Sequence, residues 1–200
     1  FRDYVLAEQT TRASKRGLDS WSWWLKRIQK YPPPLSMPLA ATLGMQRSKM
    51  ETITSIVPQE QWSIIERRCL EIGVSPTILF YGALAEVWAT YHTSRHFTIA
   101  MMYTRRLSLN PAVEELRGNF YTVVPLEINL LEGRTFVELL EDLQGQALDI
   151  HRHRWCSGID VMQQLSAVLK RTGRSAVPFV ISSAIGAGKN TTISSSAFSG

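Results

Sequence analysis

The spacing of apolar and polar positions divides the chain into helical and extended stretches. Residues 1–30 carry a helical pattern, begun by Tyr4, Val5, Ala7 and Glu8, in which Gly17 is a candidate interruption. Trp21, Trp24, Leu25 and Ile28 recur at intervals of three and four, which places them on one helix face and predicts a core-packing stripe. Pro32, Pro33 and Pro34 stop that helix and force extended backbone. Residues 32–50 also hold Pro38 and Gly44, and read as a connecting stretch pinned across the domain surface by Leu35, Met37 and Leu39. Residues 52–57 alternate and predict a strand. Pro58 suits a first helical position, so a helix is expected over 59–72, ending at Gly73. Ser75 and Pro76 start the next helix, which runs to about His92. Its Ile78, Leu79, Phe80, Ala83, Leu84, Val87 and Trp88 predict deep burial.

Residues 97–103 and 120–128 are short apolar runs and predict strands, with a loop over 108–111. Thr135 is placed to cap a helix through about Arg152, and Ser157 another through about Arg171. Residues 178–185 predict a last strand, after which Gly, Ser, Thr and Asn dominate and a loop is expected. Helices and strands in this order give an α/β unit, or an α+β layered sandwich.

Composition narrows the class. Of 200 residues, 44% are hydrophobic and 20% charged, with six tryptophans, which fits a globular chain with a substantial core. The net charge of +5 favours an acidic partner, but the basic residues are scattered without a run, so neither nucleic acid nor a membrane is expected as partner. No apolar stretch reaches the length of a membrane-spanning helix. Two cysteines, Cys69 and Cys156, make a disulfide framework implausible and fit a reducing, cytoplasmic setting. Both ends read as cuts through a longer polypeptide, Phe1 lacking an initiator Met or signal pattern.

The densest polar cluster runs from His151 to Ser157. His151, His153 and Cys156 could be read as metal ligands, yet residues two apart point to different helix faces, and a basic helix end is the simpler reading. Ser182 and Ser183 end an apolar strand, a common place for functional side chains, but no Gly-x-Ser-x-Gly surrounds them. Gly186–Asn190 echoes a phosphate loop only weakly.

Six segments in order resemble the condensation domains of nonribosomal peptide synthetases, in their heterocyclization branch. Phe1-Arg2-Asp3-Tyr4 resembles the family's Tyr-x-Asp-Tyr segment, and Trp24-Leu25 with Pro32-Pro33-Pro34 and Met37-Pro38-Leu39 its Trp-helix and proline stretch. Phe97-Thr98-Ile99 and Arg106-Leu107-Ser108-Leu109-Asn110-Pro111 resemble "FTL" and "NRLPLHP". Gly118-Asn119-Phe120-Tyr121-Thr122 stands where that branch has "GDFTS". His153-Arg154-Trp155-Cys156-Ser157-Gly158 is similar to "HR-x-x-SG", and Val177 to Gly186 to "PVVFTSALG".

The resemblance implies the C-terminal lobe of a V-shaped, chloramphenicol acetyltransferase-like fold. Residues 1–50 would be the interlobe helix and proline-rich connection, and residues 51–200 the lobe, truncated at both ends. An N-terminal lobe bearing His-His-x-x-x-Asp-Gly or Asp-x-x-x-x-Asp would precede Phe1; neither motif occurs in this chain. The implied chemistry joins two carrier-bound thioesters through an amide and cyclodehydrates a Cys, Ser or Thr side chain to a thiazoline or oxazoline. The family's reactive Thr falls on Ser182, the candidate catalytic residue. Asn119, Tyr121, Thr122, His153, Arg154, Ser157 and Ser183 are expected to line the substrate channel or its motifs. No metal and no directly bound cofactor are expected; substrates arrive on the phosphopantetheine of upstream and downstream carrier proteins. The isolated lobe is expected to be inactive, and a homodimer through its exposed packing face is plausible. Asn119 for Asp, Asn110 for His and Gln164 for Glu depart from the family pattern, which leaves plain amide condensation or a non-catalytic docking lobe as alternatives.

Overall fold

A computed structural model describes residues 1–37, 52–109, 111–130, 133–170 and 175–185. The first helical stretch is two helices, α1 (Arg2–Ala13) and α2 (Lys15–Ile28). The break falls at Ser14 rather than Gly17. Ser14 is extended, and its hydroxyl accepts the Gly17 N–H as the cap of α2. Gly17 is needed for another reason: a Cβ there would lie 2.3 Å from the Arg12 carbonyl oxygen, so only glycine lets the two helices turn so tightly. The expected stripe on α2 holds, with Trp24 and Ile28 fully buried and Trp21 and Leu25 half-buried.

Helix α3 (Gln59–Glu71) and helix α4 (Pro76–Ala89) meet at 97°. Ser75 caps α4 through the Ile78 N–H. The expectation that α4 is deeply buried needs correcting. Ile78, Tyr81, Ala85 and Ala89 are in the core, but Val87 is 55% exposed and Leu84 36%. Only one side of the helix finds the sheet. Residues 52–57 do not form the expected strand; Ile53 and Ile56 are almost fully exposed, and no strand pairs with the segment.

The sheet, among the described residues, has the order β2–β1–β3, from β1 (His96–Thr104), β2 (Tyr121–Asn129) and β3 (Val180–Ser182). β1 is central as expected, antiparallel to β2 and parallel to β3. The last strand is three residues long, shorter than the eight expected over 178–185. The rest of that edge of β1 is covered by the proline stretch. Thr98 donates its N–H to Pro33 O and accepts from Leu35 N–H, both at 2.9 Å, and its hydroxyl donates to Pro32 O. The stretch is therefore docked as a piece of sheet, with Leu35 buried, rather than laid over the surface. Met37 is half-buried; Leu39 lies outside the described residues.

Pleating sorts the side chains. Phe97, Ile99 and Met101 of β1, Val124, Leu126 and Ile128 of β2, and Ile181 of β3 share one face and enter the main core. Helix α5 (Phe136–Arg152) starts with a capping box from Thr135 and Glu138 and adds Leu139, Leu140, Leu143 and Ile150 to that core. Helix α6 (Gly158–Val168), capped by Ser157, adds Val161 and Leu165; it ends three residues short of the expected Arg171. Tyr4, Leu107, Val113 and Phe120 form a second small cluster under α1. The arrangement is the layered α/β fold expected of the sequence.

The outer edge of β2 is an open strand edge that must be satisfied. Gln146 of α5 satisfies it at Glu127. Its Oε1 accepts from the Glu127 N–H at 3.2 Å and from Arg27 at 2.7 Å. Its Nε2 donates to Glu127 O at 3.0 Å and to Asp142 at 2.9 Å. Pro125 has no N–H to satisfy, and its carbonyl accepts from the Tyr31 hydroxyl at 3.0 Å. Gln146→Leu leaves this edge and the Arg27 guanidinium short of partners. The expected loss is about 2–3 kcal/mol, measured by urea unfolding; a loss under ~0.5 kcal/mol would show that the amide does not hold the edge.

Candidate functional site

The cleft begins with a short glycine-containing turn before β2. Asn119 Oδ1 accepts the Tyr121 N–H at 3.0 Å, an Asx turn that sends the chain into the strand. Tyr121 follows at the strand start, 62% exposed. Helix α6 then closes on the same strand. Gly158 permits this, since a Cβ there would sit 2.2 Å from Thr122 Oγ1 and 2.6 Å from Val123 O. Ser157 Oγ is spent on the Ile159 N–H, so its role is a cap.

Together with α1 and residues 175–180, these elements enclose a cleft of about 820 Å³. Asn119, Tyr121, Thr122 and Ser157, four of the eight site residues read from the sequence, line it. Ser182 is placed by register. Val180 pairs with Ala100 and Ser182 with Met102, while Met102 pairs with Val123 and Thr104 with Tyr121. Tyr121, Val123, Val180 and Ser182 therefore share one sheet face; the first three line the cleft and Ser182 stands two residues beyond Val180. Two strand spacings separate Ser182 from Val123, about 10 Å. The Ser182 hydroxyl is exposed and holds no hydrogen bond among the described residues.

The remaining four, Ser182 with Ser183, His153 and Arg154, are not among the residues that line the cleft. Ser183 points to the opposite face, where its hydroxyl meets Thr77 Oγ1 of α4 at 3.1 Å and accepts the Ile185 N–H. His153 ends α5, and its ring stacks on Trp23 with centroids 4.4 Å apart. Its carbonyl accepts from the Trp24 indole at 3.2 Å. The Arg154 guanidinium lies beside His151, 2.6 Å from its Nε2, and near the Trp155 ring. The cluster from His151 to Ser157 is thus a helix end and a turn. Among the described residues no group of three or more His, Cys, Asp or Glu is placed to hold a metal. Asn110 and Gly186–Asn190 lie outside the described residues.

Charged residues that sequence reasoning missed shape the cleft. Arg12 of α1 pairs with Asp160 of α6. Glu8 of α1 pairs with Arg105, whose side chain is 8% exposed and whose Nε also donates to Arg154 O at 2.6 Å. Nothing local in the sequence marks Arg105 apart from its neighbour Arg106, which instead caps the carbonyls of Val113, Glu114 and Leu116. Burial pushes the nearby Tyr103 phenol up to about 12 and the Cys156 thiol up to about 11, so both are protonated at neutral pH and neither is a nucleophile there.

Comparison with known proteins places this geometry. The condensation domain family matches residues 1–179. Pyochelin synthetase PchF of Pseudomonas aeruginosa is 28% identical over 93% of this chain, and phenyloxazoline synthase MbtB of Mycobacterium tuberculosis 27% identical over 94%. The chain spans 10% and 13% of those proteins' lengths. Among solved structures, the EpoB cyclization-docking bidomain from Sorangium cellulosum superposes with a TM-score of 0.82 at 28% identity, over 92% of this chain and 37% of that one. The first condensation domain of the calcium-dependent antibiotic synthetase shares the fold at a TM-score of 0.67 and 19% identity, over 90% of this chain and 38% of that one.

The His153 stack carries a pH dependence. Burial lowers the His153 pKa below its ordinary value, against the opposing pull of Asp149, and burial with Arg154 lowers that of His151. In the unfolded chain both imidazoles titrate near 6.5. Below that value the unfolded state binds more protons, so stability is full above about pH 6.5 and falls with acidification. The thermal midpoint is expected to drop between pH 7 and pH 5, and His153→Gln to reduce the drop. An equal drop in the variant would take His153 out of the acid response.

Proposed function

The chain belongs to the condensation domain family, and from that membership we propose that it is the C-terminal lobe of a nonribosomal peptide synthetase domain of the heterocyclization type. Carrier proteins upstream and downstream present an acyl thioester and a Cys, Ser or Thr thioester on their phosphopantetheine arms. The amine of the second attacks the carbonyl of the first, forming the amide and releasing the donor thiol. The side-chain thiol or hydroxyl then adds to the new amide carbonyl, and loss of water closes the thiazoline or oxazoline.

The observation that carries this reading is the uncommitted Ser182 hydroxyl, on the same sheet face as the cleft-lining Tyr121, Val123 and Val180. It is free to hydrogen-bond the amide oxygen or the departing water, being both donor and acceptor. The relatives' names point the same way, since one is a phenyloxazoline synthase and another a cyclization bidomain. The Asn119 substitution counts less against catalysis than its loss of charge suggests. The turn uses only Oδ1, which an aspartate would offer equally.

No base lies within hydrogen-bond reach of Ser182 among the described residues. In this reading Ser182 orients and polarises, proton transfer falls to groups beyond this lobe, and the 200-residue chain alone does not turn over.

The test uses the full synthetase with both loaded carriers and mass spectrometry of the products. Wild type is expected to give a heterocycle; linear amide alone would make this a plain condensation domain, and no product would leave a docking lobe. Ser182→Ala is expected to keep the linear amide and lower ring yield by about 100-fold. Unchanged ring yield would remove Ser182 from the mechanism.

A further inference from the structure

Strand β3 is three residues long and, among the described residues, an edge strand with β1 as its one neighbour. So short an edge is prone to fray, because few ladder bonds hold each residue. Its pairing with β1 ends at Ser182 itself, which faces Met102. The position of the Ser182 hydroxyl therefore depends on what holds the chain on either side of it.

Helix α4 supplies that hold from the core side of the sheet. The Tyr81 hydroxyl donates to Ile181 O at 3.4 Å, and Thr77 Oγ1 meets Ser183 Oγ at 3.1 Å. Ser183 Oγ also accepts the Ile185 N–H, so the same hydroxyl closes the turn that ends the strand. Thr77 and Tyr81 stand four residues apart on one face of α4, spaced by about 6 Å along its axis. Ile181 and Ser183 stand two apart, spaced by about 6.6 Å along an extended chain. The two spacings match, so one helix face grips the chain on both sides of Ser182. The grip is anchored in the core: Tyr81 is fully buried, and the Ser75 N–H at the start of α4 donates to Gln144 of α5 at 2.8 Å.

We propose that Thr77 is a positioning residue for ring closure, holding Ser182 in place through the hydroxyl pair it makes with Ser183. The inference rests on the reading of Ser182 as the group that orients the amide oxygen or the departing water. Thr77 and Ser183 touch no reacting atom in this account. Removing the pair frees the strand end, and a hydroxyl displaced by about 1 Å orients its partner poorly. Amide formation does not use Ser182 and proceeds as before. Ser183 thus serves the site from the opposite sheet face, which explains why a serine beside Ser182 is turned away from the cleft.

The test is product analysis on the full synthetase with both loaded carriers, read as the ratio of heterocycle to linear amide. Thr77→Val removes the hydroxyl at nearly constant shape and is expected to lower that ratio about tenfold. Thr77→Ser keeps the hydroxyl and is expected to keep the wild-type ratio. Ser183→Ala is expected to match Thr77→Val, and gives the same readout from the strand side should Thr77→Val not fold. The double variant is expected to lose no more than either single one, since both remove one bond. A wild-type ratio in Thr77→Val and Ser183→Ala, with Ser182→Ala still losing the ring, overturns the positioning role and leaves the reading of Ser182 intact. Additive losses in the double variant, or equal loss of both products, make the two hydroxyls merely structural and overturn it as well. Linear amide alone from wild type, or an unchanged ratio in Ser182→Ala, overturns the reading of Ser182 and this inference with it.

Discussion

One carboxamide ties the layers of this protein together. Gln146 uses all four of its hydrogen-bonding positions, two on the backbone of Glu127, one on Arg27 and one on Asp142. It joins α5 to β2 as a strand would, reading both the N–H and the C=O of one residue, and it pulls α2 into the same knot. An open edge beside a buried face is a standing liability. Here it is closed by a side chain, a proline that lacks an N–H, and the hydroxyl of Tyr31. Burial, against the opposing pull of Arg27, keeps that phenol protonated, with its pKa pushed up to about 12, so the contact survives across the ordinary pH range.

The rest follows in sequence along α5. Once Gln146 fixes the helix against β2, its end is fixed too. His153 then stacks on Trp23, and the Arg154 carbonyl is brought to Arg105. The turn through Ser157 starts α6 against Thr122 and Val123, which forms a wall of the cleft. The site is therefore shaped by hydrogen bonds between helix ends and a strand, with the apolar core beneath it supplying stiffness rather than direction.

Much of the fold was legible because its signals are local. Thr135 with Glu138, Ser75 and Ser157 cap helices by chemistry that needs no distant partner. The apolar runs of β1 and β2 could be read from period and length. What failed required knowledge of neighbours. Residues 52–57 alternate like a strand but have no edge to join. Helix α4 is apolar all round, and composition alone does not say which side meets the sheet. Ser183 and Ser182 look alike in sequence; the pleat gives one to α4 and turns the other to the opposite sheet face. Arg105 and Arg106 are adjacent arginines, and only the fold makes one a brace for the carbonyls of Val113, Glu114 and Leu116 and the other the buried partner of Glu8.

The proline stretch changes how such a chain could be recombined. Pro32, Pro33 and Pro34 look like a hinge between units, the natural place to splice one parent chain onto another. Their backbone is instead stitched to Thr98 near the start of β1. A splice there would transplant half of a sheet edge and strand its partner in the other parent. Junctions for chimaeras belong outside this block, with the prolines and β1 taken from the same parent.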